Sequence, residues 1–128
     1  MATTKRAIID GPQHVVIYAS YDADVSDEVL IDVSALSPVP VSVAIEEIWY
    51  TVGGQNVTLE FDATTDEPAW AFGGTDATGA LSGHIDFRPF GGLVDPRATG
   101  YTGDVLVTTG TFDAGEPCKL VVKARKRF

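Results

Sequence analysis

Apolar and polar residues alternate with a period of two along most of the chain, in short runs broken by turn-forming residues. His14-Val15-Val16-Ile17-Tyr18-Ala19-Ser20-Tyr21 is a β-rich run introduced by Gly11-Pro12. Val29, Ile31 and Val33 alternate with Leu30 and Asp32, and Ser34 to Pro40 then supplies a break. Val41, Val43 and Ile45 alternate with Ser42, Ala44 and Glu46, but the next apolar set is Ile48, Tyr50 and Val52. The phase therefore slips by one residue at Glu46-Glu47, as it does where one strand of a pair carries an extra residue. The pattern predicts a β-bulge near Glu46. Val43 to Tyr50 also fits a helical period, but its β-branched residues and the following Gly53-Gly54 favour a strand.

Gly53-Gly54-Gln55-Asn56 predicts a hairpin loop, after which Val57, Leu59 and Phe61 alternate with Thr58, Glu60 and Asp62. Trp70 and Phe72 share one face of a short segment ending at Gly73-Gly74, and Ile85 and Phe87 share one face of a strand from Gly83 to Phe87. Pro89 to Gly103 reads as a Gly- and Pro-rich loop, Asp104 to Thr109 as a strand, and Gly110 to Pro117 as a turn into a last strand, Cys118 to Ala124. About eight short strands separated by turns predict an all-β fold, an antiparallel β-sandwich of jelly-roll-like kind. One domain covers residues 1–128, with residues 1–10 and 125–128 expected as extended arms.

The length, 128 residues, suits one core, and 45% hydrophobic content is too high for a disordered chain. No run approaches the roughly 18 apolar residues of a membrane helix. The first ten residues hold a basic pair, Lys5-Arg6, but no hydrophobic segment of a secretory signal, so the expectation is a soluble product made in the cytosol, not exported by a cleaved N-terminal peptide and with no membrane partner. The net charge of -9 is unevenly spread. No Lys or Arg occurs from Ala7 to Phe87, where fourteen of the eighteen acidic residues lie, whereas Lys119 to Phe128 holds five positive charges and no negative one. An acidic body repels phosphate, which argues against nucleic acid as a partner. The basic end suits an acidic partner or the acidic body of a neighbouring copy, or else a solvated end that protects an edge strand from aggregation.

Candidate chemistry is sparse. Cys118 is the single cysteine and alternates in phase with Leu120, Val122 and Ala124, which reads as a buried small hydrophobe and not as a reactive thiol. His14 and His84 sit in alternating strands without a motif that supplies a nucleophile and an orienting acid. No phosphate loop and no hydrolase elbow is present, so no catalytic residue and no cofactor is expected. Asp22, Asp24, Asp27 and Glu28 crowd one turn and are the candidates for a calcium site, with Asp62, Asp66 and Glu67 a looser second group. The run lacks the glycine and terminal glutamate spacing of a helix–loop–helix calcium site, and solvated acidic loops are the preferred reading. Trp49, Tyr50, Trp70, Phe72 and Tyr101 offer a sugar platform if they are exposed, although aromatic residues on strands more often fill a core.

Three stretches carry a resemblance. Val29-Leu30-Ile31-Asp32-Val33-Ser34-Ala35-Leu36, the strand Val57 to Asp66 with its Phe61-Asp62-Ala63-Thr64, and Phe90-Gly91-Gly92-Leu93-Val94-Asp95-Pro96-Arg97 followed by Gly100-Tyr101-Thr102-Gly103-Asp104 and Thr108-Thr109-Gly110 resemble a family of small virion structural proteins of tailed bacteriophages. The likeness spans roughly residues 14 to 127 and is specific only between Gly91 and Gly110; Phe61 stands where the family pattern has Trp. The resemblance implies a non-enzymatic virion protein, foremost a capsid decoration (cement) protein that binds the outer capsid surface. Its partners would be the major capsid protein or neighbouring virion subunits, with homo-oligomers. The alternatives are a tail or head-fibre component, or a calcium- or carbohydrate-binding module. The residues expected at the partner surface are Phe90, Gly91, Gly92, Leu93, Arg97 and Tyr101 of the loop, and Arg125, Lys126 and Arg127 of the basic end.

Overall fold

Alternation sorts each strand into a wet and a dry face, and two sheets close their dry faces on one another. The computed structural model describes residues 3–53, 56–72, 80–110 and 118–128. The strands are β1 (Thr3–Asp10), β2 (His14–Tyr21), β3 (Glu28–Ile31), β4 (Ser42–Gly53), β5 (Asn56–Phe61), β6 (Glu67–Phe72), β7 (Ala80–Asp86), β8 (Leu93–Val94), β9 (Val105–Gly110) and β10 (Cys118–Arg127). One sheet has the order β1-β2-β10-β4-β7, with β8 also paired to β4, and the other has the order β3-β9-β5-β6. Every pairing is antiparallel. Without β1 and β8 the orders β2-β10-β4-β7 and β3-β9-β5-β6 are those of an eight-stranded jelly roll, in which successive strands cross between sheets except at the β5–β6 hairpin.

The core is the set the alternation marks. Val15, Ile17, Ala19 and Tyr21 of β2, Ile45, Ile48 and Val52 of β4, Leu59 and Phe61 of β5, and Leu120, Val122 and Ala124 of β10 are buried between the sheets. Each large apolar side chain among them stabilises the fold by roughly 1.5–3 kcal/mol. The expected bulge is present. Lys123 pairs with Glu47 and Ala124 with Ile45, which leaves Glu46 as the extra residue of β4.

Two expectations change. The hairpin at Gly53-Gly54-Gln55-Asn56 does not form: β4 pairs with β10, β7 and β8, whereas β5 pairs with β6 and β9 in the other sheet. In a hairpin, Val52 and Val57 would share a face as cross-strand neighbours. In the sandwich both are buried from opposite sheets, so the same sequence pattern fits either arrangement. The terminal arms are also strands. β1 pairs with β2 along the edge of its sheet, and β10 continues through Arg125, Lys126 and Arg127, opposite Ala44, Val43 and Ser42. The turns expected at Gly73-Gly74 and over most of Gly110 to Pro117, and the Gly54-Gln55 pair, lie outside the described residues. Among the described residues no helix is long and apolar enough to cross a membrane.

Candidate functional site

The bulge sends two consecutive carboxylates to one face of β10. Glu46 accepts from Arg125 Nη1 at 2.9 Å and meets His14 Nε2 at 3.1 Å. Glu47 meets His84 Nε2 at 3.1 Å, Lys123 Nζ at 3.5 Å and Arg88 Nη2 at 3.6 Å. Both glutamates are buried, and their cationic neighbours offset the cost of removing them from water. Arg88 also forks onto Asp86 at 2.9 and 2.8 Å, and those hydrogen bonds hold the Asp86 carboxyl down to about 2. His14 and His84 lie on β2 and β7, which are three strand spacings or about 14 Å apart. Each faces its own carboxylate, so the two imidazoles do not converge on one point.

The basic end is part of this lattice and not a free tail. Lys126 has a fully buried side chain whose Nζ donates to Asp10 Oδ1 at 2.6 Å and to the Ser37 carbonyl at 3.0 Å. Arg125 is engaged by Glu46 and reaches the Gly91 carbonyl at 3.4 Å, and the Arg127 carbonyl accepts from the Val41 amide. Sequence reasoning offered these three residues to a partner. The structure spends Lys126 and Arg125 on internal contacts, because β10 is a central strand flanked by β2 and β4.

The loop residues separate into scaffold and surface. Gly91 follows the 3-10 turn Arg88–Phe90, and Leu93 packs against the core. Gly92 has φ +90°, and a Cβ there would lie 3.0 Å from the Ile45 carbonyl oxygen. Arg97 donates from its amide to Asp95 and from Nε to Ser42 Oγ at 3.1 Å. Phe90 is 67% exposed and Tyr101 is exposed.

The three stretches of the resemblance meet at one end of the sandwich. Asp104 Oδ1 accepts from the Val33 amide at 3.0 Å, Thr102 Oγ1 donates to Asp62 Oδ2 at 2.8 Å, and the Thr64 amide donates to the Thr99 carbonyl. Gly103 has φ +89° and lies against the Val41 carbonyl, which a Cβ would overlap at 2.2 Å. These residues lock the strand ends to one another. Their pattern is explained by folding and assigns them no partner.

The acidic candidates are regrouped. Asp27 comes together with Glu60 and Asp66, with ligand oxygens within 4.8 Å of one another, while Asp22, Asp24 and Glu28 stand outside this group. Burial, then the charges of Asp27 and Asp66, raise the Glu60 carboxyl above its ordinary value. With one oxygen from each residue, the three carboxylates offer a hard cation about half the ligands it takes. Asp62 is bonded to Thr102 and Glu67 pairs with Phe61, so the second expected group does not form as a unit.

The aromatic candidates also disperse. Tyr50 packs against Phe72 with ring centroids at 4.6 Å, both beside the core. Trp49 stacks on His84 at 4.7 Å, and Tyr101 stands in the turn beside Asp62. Trp70 packs edge-on against the buried Phe87 at 5.0 Å, and Phe90 packs against the same ring at 5.8 Å. Trp70 of β6 and Phe90 of the 3-10 turn thus flank one anchor, with 38% and 67% of their surfaces exposed. Nothing in the sequence links residues 70 and 90, because the pairing comes from the closure of the sandwich.

The chain matches no family model, no curated protein and no solved structure. The likeness to phage virion proteins therefore rests on the quoted motifs.

Proposed function

We propose that the chain is a non-enzymatic virion structural protein, a capsid decoration protein that binds the outer capsid surface and stabilises the head. The observation that carries this reading is the exposed aromatic pair Trp70 and Phe90 on the buried Phe87. Aromatic side chains preset by a rigid neighbour are the residues that most often dominate a protein–protein interface. Val94 on β8, the strand that follows Phe90 in the chain, is also exposed. Double-sheet jelly rolls recur in viral capsids, which is an analogy of fold and adds no site. The partner is the major capsid protein or a neighbouring virion subunit, with copies of this chain arrayed by the capsid symmetry. The place of action is the virion, after synthesis in the host cytoplasm.

The test is co-sedimentation of the purified protein with capsids that lack it. The double variant Trp70→Ser and Phe90→Ser weakens binding about tenfold or more if the pair is the docking surface. Undiminished binding by a folded double variant removes the pair from the interface. Attachment to purified tails but not to heads moves the role to the tail or head fibre.

A further inference from the structure

We propose that the outer face of the first sheet carries a glycan-binding groove beside Trp49. β4, β7 and β10 lie side by side there, and their outward residues line a shallow groove of about 280 Å³ whose surface includes Trp49, Thr51, Ser82, Lys119 and Val121. Trp49 is 38% exposed, although it sits in the middle of a strand and not at a tip. His84 stacks on the indole with an interplanar angle of 15° and does not line the groove, so the ring is braced on one side and meets the groove on another.

The polar groups complete the match. Thr51 Oγ1 and Ser82 Oγ are 3.0 Å apart across β4 and β7, and each hydroxyl keeps capacity for another hydrogen bond. Lys119 is exposed at the rim, and among the described residues it makes no ion pair, unlike Lys123, Arg125 and Lys126 on the same strand. A pyranose has an apolar C–H face that lies against an aromatic ring and hydroxyl edges that exchange hydrogen bonds. One aromatic wall, a hydroxyl pair and one ammonium form the small set of convergent groups that orient such a ligand. An apolar ligand would leave both hydroxyls and the ammonium without use, and the net charge of -9 disfavours a polyanion.

The experiment uses the full chain against an immobilised glycan array, followed by calorimetric titration with the hexasaccharides of β-1,4-glucose, α-1,4-glucose and β-1,4-N-acetylglucosamine and with any glycan the array marks. The expected result is saturable binding of at least one glycan. Trp49→Ala then weakens it about tenfold or more, and Trp70→Ala leaves it within about twofold of the parent. Thr51→Arg fills the groove while keeping the indole, and is expected to abolish binding even if Trp49→Ala proves too unstable to assay. No binding by any arrayed glycan, or binding that survives Thr51→Arg, overturns the proposal. Neither result touches the capsid reading, which depends on Trp70 and Phe90.

Discussion

Lys126 and Asp10 join the last strand of the protein to the end of the first through a 2.6 Å hydrogen bond, with the lysine side chain fully buried and the aspartate partly in water. That asymmetry decides what each substitution does. Asp10→Asn leaves a buried ammonium without its counter-charge and is expected to cost about 3 kcal/mol. Lys126→Met leaves a carboxylate that water can reach and is expected to cost about 1 kcal/mol. The Lys126 hydrogen bond lowers the Asp10 carboxyl below its ordinary value of 3.8. The stabilisation is therefore present above that value and is lost as pH falls through the folded-state value. Urea unfolding of both variants at neutral pH checks the order. A costlier Lys126→Met contradicts it.

Phe87 is the anchor for both exposed aromatic residues and is itself 1% exposed. Phe87→Ala is expected to cost about 3–5 kcal/mol and to release Trp70 into water, with a red shift of its emission. Loss of stability without any change in the Trp70 signal, read in a Trp49→Phe background, argues against the shared packing.

Glu60 carries the opposite sign to Asp10. Its carboxyl is raised by burial and then by Asp27 and Asp66, so the folded state binds a proton more tightly than the unfolded chain does. The favourable contribution is full below the ordinary value of 4.5 and is lost as pH rises through the folded-state value. Glu60→Gln is expected to stabilise the protein at pH 7 by up to about 1 kcal/mol and to have little effect near pH 4. Denaturant midpoints at the two pH values provide the measurement, and equal effects at both contradict the account.

Cys118 is buried, and burial pushes its thiol up to about 11. Alkylation by iodoacetamide at pH 8 is expected to be slow in the native protein and to become fast once urea unfolds it. Prompt native labelling would place the thiol at the surface.

Much of the fold was legible because alternation reports burial directly. Val15, Ile17 and Ala19, the closing run Leu120, Val122 and Ala124, and the phase slip at Glu46 all lie where the pattern puts them. Partner choice was not legible. Val52 and Val57 look alike whether their strands are bonded in one sheet or face each other across two. The basic end read as a free arm because a run of charges does not reveal a carboxylate 116 residues away, which is how Asp10 holds Lys126. Asp27 joined Glu60 and Asp66 only through the strand order of the second sheet, and Trp70 joined Phe90 only through the closure of the sandwich. Phe90 and Tyr101, expected at the surface from the resemblance and the Gly- and Pro-rich loop that holds them, are exposed.

We propose that this sandwich coats a phage head through Trp70 and Phe90. A cryo-electron-microscopy map of the purified particle tests it most directly. The expected result is density for the jelly roll at regular positions over the outer capsid surface, with Trp70 and Phe90 turned toward the capsid protein. A particle that lacks this density, or a head-bound copy with both aromatic side chains facing solvent, contradicts it.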